Sequence, residues 1–171
     1  LILKAYRASG ALSPVPIYLD GMVRAVCSAY QSQSHDLHPS LQRALLPERP
    51  AFFVTAGQRG GGKTTLIQMI VTAILGRPAA AAAWSDNAEE RKKALFSYLR
   101  QGVGVLIWDN ISRGSTISCP HIEAALTAPE ISDRVLGVSL FETVPASTIQ
   151  VFTGNSIAPR GDMASRSFVL S

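Results

Sequence analysis

The sequence predicts an α/β domain in which helices cover both faces of a parallel β-sheet. Two observations predict this fold class. Short apolar runs, AFFVTA at residues 51–56 and VGVLIW at residues 103–108, are typical of strands that are buried on both faces. Segments with helical periodicity separate these runs, and strands that alternate with helices form parallel sheets. We therefore expect a three-layer core with the sheet in the middle.

The first 50 residues are predicted to form a short helical N-terminal extension. Apolar side chains recur at spacings of three and four between residues 17 and 31, as on one face of a helix. Pro47 and Pro50 end this region, and residues 51–171 form the predicted core. The chain begins with Leu1 and ends inside a predicted strand, so we expect it to be a piece of a longer protein.

Strands and helices are predicted to alternate through the core. A helix over residues 64–75 ends at Gly76 and Pro78. Asp86 and Glu89 are predicted to form the capping box of a second helix, which ends near residue 101. The other predicted elements are strands over residues 79–84, 134–141, 148–152 and 167–170, a helix over 120–127 and a short helical piece within 158–165.

Composition and charge exclude several classes of protein. With 47% hydrophobic and 16% charged residues, the 171-residue chain is neither disordered, nor collagenous, nor a coiled coil. Cys27 and Cys119 lack metal-ligand spacing, which excludes a zinc ribbon and a disulfide scaffold and predicts a cytoplasmic protein. No apolar run is long enough to span a membrane. Residues 1–102 carry 12 Lys and Arg against 6 Asp and Glu, which fits either nucleic-acid binding or an ordinary solvated surface.

A glycine-rich segment follows the first predicted strand and opens the first predicted helix. Residues 57–64, GQRGGGKT, match G-x-x-x-x-G-K-[ST] at every fixed position. The glycines let backbone N–H groups turn toward phosphate oxygens. Lys63 supplies positive charge to the β- and γ-phosphates, and the Thr64 hydroxyl coordinates Mg²⁺. The sequence therefore predicts a P-loop that binds a nucleotide together with Mg²⁺.

An acidic residue follows the apolar run at residues 103–108. Asp109, at the carboxyl end of a strand, is typical of the Walker B position, where a carboxylate holds a water of the Mg²⁺ shell. Lys63 and Asp109 are 46 residues apart, which leaves room for a helix, a strand and another helix. Alone, such a residue is more simply explained as the cap of a turn, but beside a P-loop we interpret it as part of the metal site.

Two later residues complete the predicted constellation. Asn155 ends the apolar strand IQVFTGN, where its amide can orient a water or contact the γ-phosphate. Arg166 lies just before the last predicted strand, after Gly161 and Asp162. Taken singly, Asn155 is equally well explained as a turn residue and Arg166 as a surface cation.

The P-loop is followed along the chain by Asp109, Asn155 and Arg166. Together, in this order, these four elements resemble an AAA+-type ATPase of the additional-strand P-loop class. More narrowly, they are similar to the helicase-like ATPases of superfamily III and to related phage and plasmid primase-helicase proteins. The likeness covers residues 51–171. It implies a sheet order of 5-1-4-3-2, ATP and Mg²⁺ as ligands, DNA as a partner and a homo-oligomeric ring, usually a hexamer. We expect the lid subdomain of such ATPases to lie outside this sequence.

The resemblance also implies a role for each site residue. Lys63, Asp109, Asn110, Asn155 and Arg166 would take part in catalysis, with Asn155 as sensor 1 and Arg166 as an arginine finger that completes a neighbour's site. Thr64 and Asp109 would hold Mg²⁺. The nucleotide-binding residues would be Gly57, Gln58, Arg59, Gly60, Gly61, Gly62, Lys63, Thr64 and Thr65.

One residue departs from this pattern. Most such ATPases place a Glu beside the Walker B Asp to orient the attacking water, whereas this chain has Asn110. An amide can position water but cannot accept its proton, so either another acid serves, with Glu142 as our candidate, or turnover is slow. Asn110 thus leaves a nucleotide-binding assembly module as the alternative to a DNA-remodelling ATPase. A third interpretation is a P-loop small-molecule kinase, which shares the P-loop and the parallel sheet.

Overall fold

The computed structural model describes residues 49–57, 62–134 and 140–171. Residues 1–48 of the predicted helical extension and residues 58–61 of the glycine-rich segment lie outside these ranges. The strands are β1 (Ala51–Ala56), β2 (Ala80–Ala83), β3 (Val105–Ile111), β4 (Thr116–Ile117), β5 (Glu130–Arg134), β6 (Phe141–Pro145), β7 (Ile149–Asn155), β8 (Ala158–Pro159) and β9 (Ser167–Leu170). The helices are α1 (Lys63–Leu75), α2 (Ala88–Arg100), α3 (Pro120–Thr127) and α4 (Asp162–Ser165).

Five strands form a central parallel sheet in the order β2-β3-β7-β1-β9. Because the strands are parallel, their carboxyl ends share one edge of the sheet, where Ala56 pairs with Asn155 and Ala83 with Asp109. Two short strands, β4 and β8, pair with each other beyond this edge. The polar residues that follow the buried strands are thereby brought to one side of the molecule.

Helices pack on both faces of the sheet, as predicted. Alternate residues of β1 point to opposite faces, so Phe52 joins a core with α1, while Phe53 joins a core with α2 and α3. The second core is the larger and contains Trp108 and Phe152, which are both fully buried. Gln150 is also fully buried, and its side-chain oxygen accepts a hydrogen bond of 2.8 Å from the Trp108 indole N–H. The α/β class with a parallel sheet between helices is confirmed.

The predicted strand over residues 134–141 is wrong. Instead, Glu130–Arg134 and Phe141–Pro145 form the two strands of an antiparallel hairpin, β5 and β6, and residues 135–139 lie outside the described ranges. The predicted cap of α2 is also wrong by one residue. Asn87, not Asp86, is the N-cap, because its side-chain oxygen accepts a hydrogen bond of 2.9 Å from the Glu89 N–H. None of the helices in the described ranges is long and apolar enough to cross a membrane.

Candidate functional site

A cleft of about 610 Å³ opens at the carboxyl edge of the sheet. Its walls come from three separate parts of the chain: the start of α1, the end of β3 with the loop after it, and the end of β7. The lining residues are 62–65, 109–113 and 153–155. Parallel pairing of β3 with β7 and of β7 with β1 brings these segments together. Four of the five predicted catalytic residues therefore lie in one cleft: Lys63, Asp109, Asn110 and Asn155.

Lys63 and Asn155 are in direct contact across the cleft. The Lys63 ammonium Nζ donates a hydrogen bond of 2.8 Å to Asn155 Oδ1, although the two residues are 92 positions apart. Lys63 is the first residue of α1, and Asn155 is the last residue of β7. This pairing places a cation and an amide at the same point in the cleft, at the amino-terminal end of a 13-residue helix.

A second cluster joins Thr64, Asp109 and Thr153. The Thr64 hydroxyl lies 3.2 Å from Asp109 Oδ2, and the Thr153 hydroxyl donates to Asp109 Oδ1 at 2.8 Å. The two hydroxyl oxygens are 3.4 Å apart. Thr153 is 1% exposed, so its hydroxyl contacts the Asp109 carboxylate from the buried side. Thr153 was not predicted as a site residue, although it stands two residues before Asn155 in the same strand.

Asp109 and Asn110 lie inside β3 rather than after it, because this strand continues to Ile111. The pairing of β3 with β7 is irregular between Trp108 and Ile111. Asn110 has a positive φ of 60°, and its backbone N–H donates to Asp109 Oδ1 at 2.9 Å. The irregularity turns both residues toward the cleft.

The glycine-rich segment is only partly described. Gly62 is the N-cap residue of α1 and has a left-handed φ of 65°. Because it is a glycine, it provides no side-chain hydrogen bond to the first turn of the helix. Gly62 and Thr65 line the cleft, while Gly57 is exposed at the end of β1. The predicted contacts of Gln58, Arg59, Gly60 and Gly61 fall outside the described residues.

Two candidate residues lie elsewhere. Arg166 is at the opposite, amino-terminal edge of the sheet, where its carbonyl accepts the Ala51 N–H at 2.9 Å. A six-residue strand such as β1 spans roughly 20 Å, so Arg166 cannot reach the cleft of its own chain. Glu142, our candidate base, is not among the described residues that line the cleft. It sits on β6, where Oε2 forms an ion pair of 2.8 Å with Arg100 Nε.

Arg113 was not predicted as a site residue either. This residue lies in the loop after β3, is exposed and lines the cleft. Only its spacing of four residues from Asp109 could have drawn attention to it, and spacing does not reveal which way a loop turns.

The side chains present fit Mg²⁺ and a polyphosphate. Mg²⁺ prefers oxygen ligands and is bound in proteins by one or two carboxylates together with substrate phosphates and water. The adjacent oxygens of Thr64 and Asp109 suit that mode. Among the described residues, no group of three or more His, Cys, Asp or Glu side chains could form an all-protein metal cage.

No protein-family model matches this sequence, and no curated protein is significantly similar to it.

Proposed function

We propose that this chain is the ATP-binding and ATP-hydrolysing motor domain of a helicase-like replication protein that remodels nucleic acid. The observation that carries the proposal is the convergence of Lys63, Thr64, Asp109 and Asn155 in one cleft. A lysine and a hydroxyl at the start of a helix, beside a strand-end carboxylate and amide, are the groups that phosphoryl transfer needs.

Each group has a definite task in this proposal. The Lys63 ammonium would exchange its Asn155 contact for oxygens of the β- and γ-phosphates. Thr64 and Asp109 would hold Mg²⁺, which neutralises charge on the phosphates when bound. Asn155, released from Lys63, would be left beside the γ-phosphate to orient a water. The arrangement therefore links nucleotide binding to a change of partner at Asn155.

The order of the sheet supports the same proposal. If its five strands are numbered in chain order, the sheet reads 5-1-4-3-2, the order that the resemblance implies. Arg166 lies at the edge of the sheet opposite the cleft. This position is compatible with an arginine finger that acts on another copy, because the Arg166 edge of one subunit would then face the cleft of its neighbour. A homo-oligomeric ring, DNA as the partner and a cytoplasmic location remain parts of the proposal.

One observation favours a second candidate function, a nucleotide-binding assembly module with little turnover. Asp109 is the only acidic residue among the described residues that line the cleft. Because Asp109 is engaged by two threonine hydroxyls and is the proposed Mg²⁺ ligand, it is poorly placed to accept a proton from water.

The decisive experiment measures ATP binding and hydrolysis by the full-length protein, with and without single-stranded DNA. Hydrolysis that DNA stimulates supports the motor, whereas binding without turnover selects the assembly module. Lys63→Ala should weaken ATP binding at least about tenfold, because a charged hydrogen bond is lost. Asp109→Ala should remove Mg²⁺-dependent turnover while leaving the fold intact.

Lys93→Ala is the matched control, since Lys93 is exposed on α2, where it forms an ion pair with Glu90. It should bind ATP like the parent protein. Unchanged ATP affinity in Lys63→Ala would contradict the proposed nucleotide site.

A further inference from the structure

We propose that Arg113 is a further catalytic residue, which contacts the terminal phosphate of the nucleotide bound to its own chain. The inference rests on the proposed ATPase function and adds a cation that the P-loop pattern does not include. It would give the site an arginine from the same subunit, in addition to Arg166 from a neighbour.

Arg113 is placed to meet an anion in the cleft. It lines the cleft on the same chain segment as Asp109, while Lys63 and Asn155 line it from α1 and β7. No hydrogen bond or ion pair joins its side chain to any other described residue. Several other arginines do contact described residues. Arg91 contacts Ser85 and Trp84, Arg100 contacts Glu142, Arg134 contacts Phe141, and Arg166 contacts α3. Arg113 is therefore available to a ligand.

The backbone on the carboxyl side of Arg113 is held in place. A turn is closed by the Ser115 N–H, which donates to Ser112 O at 3.2 Å. Within the turn, the Gly114 N–H donates to Asn155 O at 3.1 Å, and the positive φ of 76° at Gly114 allows this approach. Directly beyond this turn, the pairing of β4 with β8 joins the chain segments that follow β3 and β7. The backbone around Arg113 is thus fixed relative to Asn155, the residue proposed to face the γ-phosphate.

The charges in the cleft also favour this role. Mg²⁺ neutralises only part of a bound triphosphate, and further negative charge on the γ-phosphate oxygens must be stabilised as the transition state forms. A guanidinium binds phosphate through two parallel hydrogen bonds, which a lysine cannot match. Lys63 and Arg113 together would supply two cations from the same chain.

The reaction itself needs no covalent bond to Arg113. Water adds to the γ-phosphorus, and the bond from that phosphorus to the bridging oxygen breaks with its electron pair left on ADP. The products are ADP and inorganic phosphate, and the proton lost from water passes to the solvent. Arg113 contributes only electrostatic stabilisation to this step.

The test compares Arg113→Ala and Arg113→Lys in the full-length protein, with Arg77→Ala as the control. Arg77 is exposed just after α1, away from the cleft. Affinities for ATP and for ADP are measured, together with single-turnover hydrolysis. We expect Arg113→Ala to slow hydrolysis on the order of a hundredfold and to bind ADP like the parent protein. Arg113→Lys should recover part of the rate, and Arg77→Ala should match the parent.

Mixing experiments separate action within one subunit from action on a neighbour. A subunit with Arg113→Ala lacks its own Arg113, and one with Lys63→Ala lacks its own P-loop lysine, so a mixture of the two should stay inactive. Recovery of activity in that mixture would overturn the assignment. So would parent-like hydrolysis by Arg113→Ala, provided that the parent binds ATP. If the parent binds no nucleotide, the proposed function fails as well, and the two failures are thereby distinguished.

Discussion

The backbone of Asn110 accounts for the amide at a position where an acid was expected. Its φ of 60° lies in the left-handed region, which Asn tolerates better than most residues. In this conformation its N–H reaches Asp109 Oδ1 at 2.9 Å. The left-handed conformation thus favours Asn over Glu at the residue after Asp109.

Asn110→Glu and Asn110→Gly separate these two contributions. We expect Asn110→Glu to lower the free energy of unfolding by about 1 kcal/mol, because Glu is strained in the left-handed region. It should also lower kcat, since a new negative charge would stand beside the γ-phosphate. Asn110→Gly should keep the stability of the parent protein. Urea denaturation and steady-state ATPase assays measure both effects, and a rise in kcat for Asn110→Glu would contradict this prediction.

Gly154 is required because the end of β7 passes very close to Ile157. A Cβ added at Gly154 would lie 2.6 Å from Ile157 Cγ2 and 3.4 Å from Ile111 Cβ. Ile157 is only 2% exposed, so its branched side chain cannot move aside easily. We expect Gly154→Ala to lower the free energy of unfolding by about 1–3 kcal/mol and to displace Asn155.

Denaturation of the double variant Gly154→Ala/Ile157→Ala provides the control. Ile157→Ala removes the methyl group that would clash, so the two losses should sum to more than the loss in the double variant. Strictly additive losses would mean that the contact does not carry the effect.

The meeting of Lys63, Asp109 and Asn155 could be predicted because Lys63 belongs to the P-loop pattern, and Asp109 and Asn155 stand at or near the carboxyl ends of apolar strands. The roles of Thr153 and Arg113 could not. Whether Thr153 faces Asp109 depends on the pairing of β3 with β7, which no local pattern specifies. Whether Arg113 enters the cleft depends on a turn at Gly114, which is closed by a contact with Asn155.

At the scale of elements, the buried strands were predictable and the hairpin was not. Strands β1, β3 and β7 are apolar runs because both of their faces are covered, and this leaves a continuous signal in the sequence. Strands β5 and β6 have the sequences EISDR and FETVP, in which most residues are partly or fully exposed. Their pairing is supported by polar contacts such as Ser132 with Thr143, which a search for apolar runs overlooks.

The hairpin is attached to α2 by a carboxylate whose pKa is lowered. Burial alone would raise the pKa of Asp133, but the hydrogen bond from the Arg134 N–H and the Lys92 ammonium outweigh it, and the pKa falls below its usual 3.8. A group with a lower pKa in the folded state stabilises the fold above its unfolded pKa, and this contribution is lost as the pH falls through the folded pKa.

Asp133→Asn should therefore be less stable than the parent protein at pH 7, by less than about 1 kcal/mol, because the pair with Lys92 is partly exposed. The difference should begin to shrink as the pH falls below about 4, and it should be lost as the pH falls through the lowered pKa of the folded state, where the parent carboxylate becomes protonated. Urea denaturation at a series of pH values measures this change, and Lys92→Met should show a similar loss at neutral pH. A difference that does not depend on pH would contradict the assignment.

At the scale of the whole molecule, the position of Arg166 demands a second copy if the residue is catalytic. Its guanidinium lies 3.4 Å from Glu123 O and from the Thr127 hydroxyl, near the carboxyl end of α3. Cations at this end of a helix are stabilising, so Arg166 also has a structural role within its own chain. A test of Arg166 must separate these two roles.

Arg166→Ala in the full-length protein should bind ATP like the parent and hydrolyse it about 10³-fold or more slowly if Arg166 is a finger. Mixing it with Lys63→Ala should restore some activity, because certain interfaces would pair an intact P-loop with an intact arginine. Thr127→Val is the matched control, since it removes one of the two hydrogen bonds that Arg166 makes within its chain and keeps Arg166 itself. It should be slightly less stable and fully active. Full activity of Arg166→Ala in the assembled protein would exclude the finger.

The packing of the two tryptophans gives this protein an optical signal at its candidate site. Both tryptophans of the sequence, Trp84 and Trp108, lie edge to face with ring centres 5.8 Å apart. Trp108 directly precedes Asp109, and the backbone N–H of Trp84 donates a hydrogen bond of 2.8 Å to the Asp109 carbonyl. The Arg91 guanidinium lies 4.6 Å from the centre of the Trp84 ring. All indole emission therefore originates beside the strand end that carries the candidate metal ligand. Intrinsic tryptophan fluorescence is thus suited to following ligand-induced changes in the cleft, without a label and on the timescale of a stopped-flow experiment.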